Sequence, residues 1–413
     1  MQAIRPFLPL LFAAGLLLAG NGLFSTLIAV RGAQEGMSAS QIGWMGTTYF
    51  LGFVLGCIYV PRVLQSVGHI RTFSALAALA SGATLLMVLA IDPYVWMAAR
   101  FLLGITFSGL FTTIESWLNS GVNNKVRGKV LGVYRTIDVL VVAGAQYLMP
   151  VFGTDGFTLF GIMALIISMS LIPVALGDRS SPKPPALVKF SVSEIWAISP
   201  IACTGCIAIG LTNSTFRFIG PLYAEEIGLN ITNIATFISL GVVGGAVLQY
   251  PLGLLSDRFD RRVISVVATL GAVAAGTFLV LFAGTDQTAV YIGIFLFGAF
   301  SLPLYSLSAA HANDRANPDQ YVLLAAGLMF FYGIGAAFGP TISSALLQAF
   351  GPSSLFTFTS AVHGFLAIAT LWRMRKRGAV PSESRGRFQM LVRTSPVMKQ
   401  LARYRKTQNK KQS

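Results

Sequence analysis

The sequence predicts an all-α integral membrane protein of twelve transmembrane helices, arranged as two six-helix halves with both termini in the cytoplasm. Three observations predict it. Only 11% of the 413 residues are charged while 54% are hydrophobic, against about 25% charged in a soluble domain. The mean hydropathy is +0.69. Twelve separate apolar stretches each reach the roughly 20 residues that cross a hydrocarbon core.

The first stretch, 7–30, is too long for a signal-peptide core and has no small-residue cleavage pattern, so it reads as a span. The next five are 41–63, 70–90, 93–118, 128–151 and 156–176. "GDRSSPKPPALVKFSVSE", Gly177 to Glu194, follows them; its Pro, Ser and Lys content marks a linker. The remaining spans are 195–223, 231–254, 263–283, 288–311, 320–346 and 350–372. Gly and Pro inside them do not break the pattern, because membrane helices tolerate both. The expected domains are therefore 1–176, the linker 177–194, 195–372 and a tail, 373–413.

Charge fixes the orientation. One set of alternate loops holds Arg62, Arg71, Lys125, Arg127, Lys129, Arg179, Lys183, Lys189, Arg258, Arg261, Arg262 and Arg315. The other set has Arg31 and is otherwise acidic or neutral, with Glu35, Asp92, Asp155, Glu225, Glu226 and Asp286. Positive loops stay inside. The tail carries thirteen basic residues and one acid, Glu383, so most of the net charge of +15 sits there. Without interleaved aromatics it is no nucleic-acid platform; it reads as a cytoplasmic segment drawn to anionic lipid headgroups.

The halves look related. A shift of 190 residues lays "PRVLQSVGHIR" over "PLGLLSDRFDR", matching Pro61 with Pro251, Leu64 with Leu254, Ser66 with Ser256 and Arg71 with Arg261. A nearly equal shift lays "GLFTTIESWL" over "GAFSLPLYSL", starting at Gly109 and Gly298. An internal repeat of this kind is the usual architecture of secondary transporters.

Few residues carry chemistry. Cys203 and Cys206 have CxxC spacing but lie in an apolar stretch without the four ligands of a structural zinc. His311 and His363 have no metal-like partner. There is no His-Glu-x-x-His and no Gly-x-x-x-x-Gly-Lys loop, which argues against a membrane enzyme, an ATP-driven pump and any cofactor. The charges inside spans are the informative ones: Arg100, Glu115, Arg135, Asp138 and Arg217. An arginine within a span costs about 2.5–3.5 kcal/mol on insertion scales and should face a polar cavity or a partner. Arg135 and Asp138, three apart, share a helix face. With Glu115 they form either a structural network or a proton-coupling carboxylate paired with an arginine in one conformation and released in another. Arg217 either contacts substrate or snorkels to the interface. Asn21, Tyr49, Asn213, Gln249 and Tyr305 are further polar groups on the spans.

Gly253, Asp257, Arg258, Arg261 and Arg262 match the cytoplasmic signature Gly-x-x-x-Asp-Arg-x-Gly-Arg-Arg, with Asp260 in place of the internal Gly. On these residues the chain resembles the major facilitator superfamily, from about Phe7 to Trp372. In the first half Val67 stands where the second has Asp257, so the signature is degraded there. Arg100 and Gly104 fit that superfamily's Arg-x-x-x-Gly motif in the fourth span. "IESWLNSGVNNKVRGKVLGVYRTID", with Arg127 and Gly128, and "FYGIGAAFGP" look like its YcaD-like bacterial branch. "VVAGAQYLMP" in the fifth span lacks the Gly-Pro of the antiporter signature; a Gly-x-x-x-Gly-Pro run, Gly335 to Pro340, sits on the eleventh span instead.

The resemblance implies two six-helix halves working by alternating access. It implies a role for Arg100 in proton coupling or substrate binding, and a gating role for Gly253, Asp257, Arg258, Arg261 and Arg262. The expected function is secondary active transport of a small molecule, proton-coupled and directed outward, by a multi-pass protein of the bacterial inner membrane that acts as a monomer. The competing readings are a non-transporting sensor or scaffold on the same fold and, behind it, a membrane-embedded enzyme. Protons, the lipid bilayer and anionic lipids at the tail are the other expected partners; nucleic acid, metals and cofactors are not.

Overall fold

A computed structural model describes residues 7–121, 124–176, 191–282, 286–317 and 320–376, and residues 378, 380, 381, 385, 386 and 388. The expected linker up to residue 190 and most of the expected tail lie outside the described residues, as do the side chains of 119–129, Arg127 among them. Among the described residues the regular structure is helical throughout, and eleven helices are long and apolar enough to cross a membrane, or twelve if one bent pair is a single span. Exposed Leu140, Val151, Leu165, Phe338, Phe365 and Ile368 need hydrocarbon around them, since soluble proteins do not display apolar surface on this scale.

The chain forms two compact units, the first built on Met1–Glu35 and Thr48–Val188, the second on Gly36–Thr47 and Lys189–Leu391. The first unit holds α1 (Leu8–Gln34), most of α2 (Ala39–Val67), α3 (His69–Leu89), α4 (Pro93–Gly121), α5 (Asn124–Ala145), α6 (Leu148–Phe152), α7 (Thr158–Met169) and α8 (Leu171–Ala175). Gly68, at φ 84°, turns the chain between α2 and α3. The core of the unit gathers around Trp96, fully buried, whose Nε1–H donates to the Met87 carbonyl at 2.7 Å. Phe160 packs against both Trp96 and Phe24.

The second unit holds α9 (Val192–Ile198), α10 (Pro200–Phe218), α11 (Gly220–Glu226), α12 (Ile231–Arg258), α13 (Arg261–Phe282), α14 (Gln287–Ser301), α15 (Leu304–Asn313), α16 (Tyr321–Phe350) and α17 (Ser353–Lys376). Phe216, Phe237, Phe297, Phe356 and Tyr223 form one aromatic core, with ring centroids 4.8–6.3 Å apart. Side-chain caps open several helices: Asn230 for α12, accepting from the Asn233 N–H at 2.9 Å, and Asp286 for α14. These short polar residues satisfy amides that a helix start leaves without partners.

The seventh span corrects the expectation of one helix over 195–223. It is broken, with α9 and α10 bent 108° to each other. The cause is local. Ser199 precedes Pro200, whose ring disfavours helical backbone in the residue before it, and Ser199 is extended at φ −152°, ψ 86°. Its Oγ then accepts from the Ala202 N–H at 3.3 Å, so the break in α9 becomes the cap of α10. Smaller interruptions fall at Gln146–Tyr147 in the fifth span and Leu302–Pro303 in the tenth.

Three helix pairs meet backbone to backbone in one recurring way. A Cβ added to Gly52 would strike the Phe101 carbonyl, and one added to Gly104 would strike that of Tyr49, which joins α2 to α4. Gly244 and Gly298 stand in the same relation to Phe295 and Gly241, joining α12 to α14. Gly210 and Gly335 do so to Tyr332 and Ile207, joining α10 to α16. In each case the glycine lies three residues after the carbonyl its own helix offers. Small residues let membrane helices approach this closely, and the Cα–H groups then face carbonyl oxygens.

Candidate functional site

In the first unit the candidate site is built on Arg100. Its α4 position puts it deep in the unit, 1% exposed. The guanidinium carbon lies 4.4 Å from the centroid of the Tyr49 ring and 5.3 Å from that of Phe24. Tyr49 is held in turn, its hydroxyl donating to Asn21 Oδ1 at 2.7 Å. Two ring faces compensate part of the lost hydration of a buried cation, about 2 kcal/mol or more when it is desolvated. The contact depends on Gly104: the close passage it permits is at Tyr49 itself. The arginine and the glycine of Arg-x-x-x-Gly thus serve one purpose, bringing α2 near enough for its tyrosine to cover the charge.

Glu115 is fully buried on α4 and accepts from the Tyr134 hydroxyl of α5 at 3.4 Å. Next on α5, Arg135 and Asp138 form an ion pair, with side chains 19% and 11% exposed. The structure therefore joins Glu115 to α5 through Tyr134, a residue the sequence reading passed over although it adjoins Arg135.

In the second unit Arg217 is half-buried in the last turn of α10. One turn earlier Asn213 is 1% exposed, and neither its Nδ2 nor its Oδ1 has a partner among the described residues. A buried amide without hydrogen bonds costs about 1–3 kcal/mol, so it calls for an explanation. Gln249 of α12 donates to Ser306 of α15 at 2.9 Å, and Tyr305 packs edge-on against Tyr332 at 5.6 Å. The Gln249 amide is thus partnered by the protein's own hydroxyl.

The turn between α12 and α13 gathers Gly253, Asp257, Arg261 and Arg262 and leaves Arg258 exposed. Arg261, its side chain 2% exposed, donates from Nε to Asp314 Oδ2 at 2.6 Å, from Nη1 to Ser256 Oγ at 2.9 Å and from Nη2 to Asp257 Oδ1 at 3.2 Å. Arg262 grips Asp260 at 2.7 Å. Burial pushes the Asp260 carboxyl up, but hydrogen bonds from the Arg262 side chain and backbone, with the charges of Arg262 and Arg385, outweigh it and hold the group below the ordinary carboxylate range. Asp314, at the end of α15, was missed from sequence. The available signal was an acid beside Arg315 in a loop set otherwise read for its positive charge.

Comparison with known proteins bears on the family and the fold. The family model described as Major Facilitator Superfamily matches residues 10–230 and again 201–407. A protein of Escherichia fergusonii described as an uncharacterized MFS-type transporter, YcaD, is 25% identical over 383 residues, 91% of this chain and 98% of its own. Its counterpart in Shigella flexneri serotype 5b is 26% identical over 390 residues, 91% and 97%. Among solved structures, the nucleoside transporter NupG superposes with a TM-score of 0.76 at 10% identity, covering 90% of this chain and 99% of that one. A bacterial homologue of the human lysosomal transporter Spinster, inward-facing and occupied, gives 0.72 at 14%, covering 92% and 97%. At such identities the structural likeness speaks for the fold.

Proposed function

The chain belongs to the Major Facilitator Superfamily, and from that premise we propose that it is a secondary active transporter of an anionic or hydroxyl-rich small molecule, coupled to protons and directed outward. That it is a multi-pass membrane transporter, of a family that is not an enzyme family, follows from the family match and the helices. The finer reading is carried by one observation, the arginine buried at 1% exposure on the faces of Tyr49 and Phe24. A charge is kept inside a membrane span at a cost when it has work there, and the planar guanidinium fork suits carboxylate, phosphate or paired hydroxyls.

In the second unit Asn213, with both amide atoms unpartnered among the described residues, offers a hydrogen-bond donor and acceptor to a polar ligand in this reading, and Arg217 stands one turn beyond it. Glu115 is the coupling carboxylate. The Tyr134 hydroxyl donates to it at 3.4 Å, long for an O–H···O bond, so a small shift between α4 and α5 changes this contact during the cycle. Arg135 and Asp138 set the position of α5 or take part in that proton's path. Residues 1–176 and 195–372 are read as the two halves, joined by 177–194 and followed by the tail 373–413.

The loop charges support placing the α12–α13 turn and both termini in the cytoplasm, the bacterial relatives support the inner membrane of a bacterial cell, and the protein is read as a monomer. Trp372, half exposed, has the Lys376 ammonium 4.0 Å and the Arg373 guanidinium 5.5 Å from its ring centroid. Aromatic and basic side chains together suit the headgroup level, where anionic lipids meet them.

The test is ligand-dependent thermal stability of the purified protein against sugars, organic acids, amino acids and lipophilic cations, repeated with Arg100→Ala. A ligand at 100 times its dissociation constant stabilises by about 2.7 kcal/mol. A stabilising organic acid or sugar that loses its effect in the variant is the expected result. A hit confined to lipophilic cations and kept by the variant overturns the substrate class. Proton-driven flux in liposomes that survives both Glu115→Gln and Asp138→Asn overturns the coupling.

A further inference from the structure

The α12–α13 turn has an occupant from elsewhere in the chain. The Gly386 N–H donates to Asp314 Oδ1 at 2.9 Å, and the Phe388 N–H donates to Asp257 Oδ1 at 2.7 Å. The Gly386 carbonyl accepts from Arg261 Nη2. Arg385 reaches back to the turn, its Nη1 donating to the Phe259 carbonyl at 2.8 Å, while its Nε donates to the carbonyl of Val380 at 2.9 Å. The Phe388 ring lies on Gly253, where an added Cβ would collide with ring carbons Cδ1 and Cε1.

These contacts have the form of a binding site. Arg261 bridges Asp257 and Asp314, and each aspartate also presents an oxygen to a backbone N–H of the segment. The arginine itself presents Nη2 to the backbone carbonyl between those amides. Three main-chain groups of the segment are therefore read by three side chains, two of them acidic and one basic. The aromatic ring fills the place that a missing side chain leaves open. Hydrogen bonds to charged groups contribute more than neutral ones. A segment that only followed the lipid surface would need none of this.

We propose that Arg385, Gly386 and Phe388 form an intrachain ligand of the α12–α13 turn, a releasable latch that restrains this turn while docked. The site joins α12, α13 and the end of α15; release removes the tail's contacts to the turn, while the Arg261–Asp314 pair still ties it to α15. The docked state stands independently of any substrate; its bearing on transport rests on the gating reading of Asp257 and Arg261.

The experiment is hydrogen exchange on the full-length protein in nanodiscs of phosphatidylethanolamine and phosphatidylglycerol, comparing the parent with Phe388→Ala and with Phe365→Ala, a surface change on α17. Loss of the ring and its anchoring should speed exchange of amides 257–262 on the order of tenfold, with the α2–α3 turn and the Phe365→Ala protein unchanged. Equal exchange in the parent and Phe388→Ala overturns the latch. A second measurement covers the case in which exchange rises throughout the chain. In Asp314→Asn, which keeps the Phe388 ring, the Gly386 and Phe388 amides should exchange on the order of tenfold faster relative to the α2–α3 turn. An unchanged rate overturns the proposal as well. Neither readout requires transport, so failure of the latch and failure of the transporter reading are told apart.

Discussion

At the scale of single residues, the carboxylates outside the spans carry the clearest pH signatures. Burial pushes the Glu225 carboxyl up, and burial followed by the charge of Glu225 does the same to Glu226. A carboxyl raised in the folded state binds its proton more tightly there than in the unfolded chain, so stability falls as pH rises through that window. Glu225→Gln is therefore expected to raise the melting temperature at pH 7 and to leave it unchanged well below pH 4, as a melting series in detergent reads. Asp260 has the opposite sign. Its carboxyl is held low, so its contribution is present above the ordinary carboxylate range and is lost as pH falls through the lower folded value. Asp260→Asn should destabilise at pH 7 and lose its effect in acid. For Arg100, replacement by lysine keeps the charge but gives up the planar stacking on Tyr49. Ligand-induced stabilisation should fall with Arg100→Lys as it does with alanine. The sequence made Arg100 legible because a charge inside an apolar run is visible at a glance. It left Tyr134 and Asp314 unread, because a hydroxyl beside an arginine and an acid in a basic loop acquire meaning only once a second helix is beside them.

At the scale of helices, the three glycine contacts set where packing tolerates change. Gly298 of α14 sits against the Gly241 backbone of α12, which no rotamer change can relieve. Gly364 of α17 has open space where its Cβ would be. Gly298→Ala is expected to cost about 1–3 kcal/mol or more, in the range of overpacking, whereas Gly364→Ala should be neutral or stabilising through helix propensity. Thermal melts of the two variants check this directly. The paired motif also gives the internal repeat a physical meaning. Gly52 with Gly104 and Gly244 with Gly298 hold corresponding helices in the two units, at separations near the 190-residue shift seen in the sequence. The spans themselves were legible from hydropathy alone. The break at Ser199 was not: Pro is common inside membrane helices, as Pro61, Pro251 and Pro340 here show. At Ser199 a capping hydroxyl is also available, and an interruption becomes a new helix start.

At the scale of the whole molecule, the fold class was the most legible property, because composition and the length of apolar runs follow from the bilayer rather than from any one contact. The signature in the second half was equally plain, yet what covers it was not. Thirteen basic residues from Arg373 onward suggest a surface-bound tail, and that average hides the three positions, Arg385, Gly386 and Phe388, where main chain, an arginine and one aromatic ring find a fitted place. The pairing of α10 with α16 has a mechanical consequence. Two helices whose backbones touch reciprocally at Gly210 and Gly335 tilt as one lever. One arm carries Asn213 and Arg217; the other turns Phe338, 59% exposed, and Ile342, 40% exposed, toward the lipid. Lateral pressure on that outer face is therefore felt at the unpartnered amide. Transport by this chain should vary with acyl-chain length in reconstituted liposomes even when headgroup charge is held constant, which on the proposed reading makes the thickness of the bilayer an input to Asn213 and Arg217.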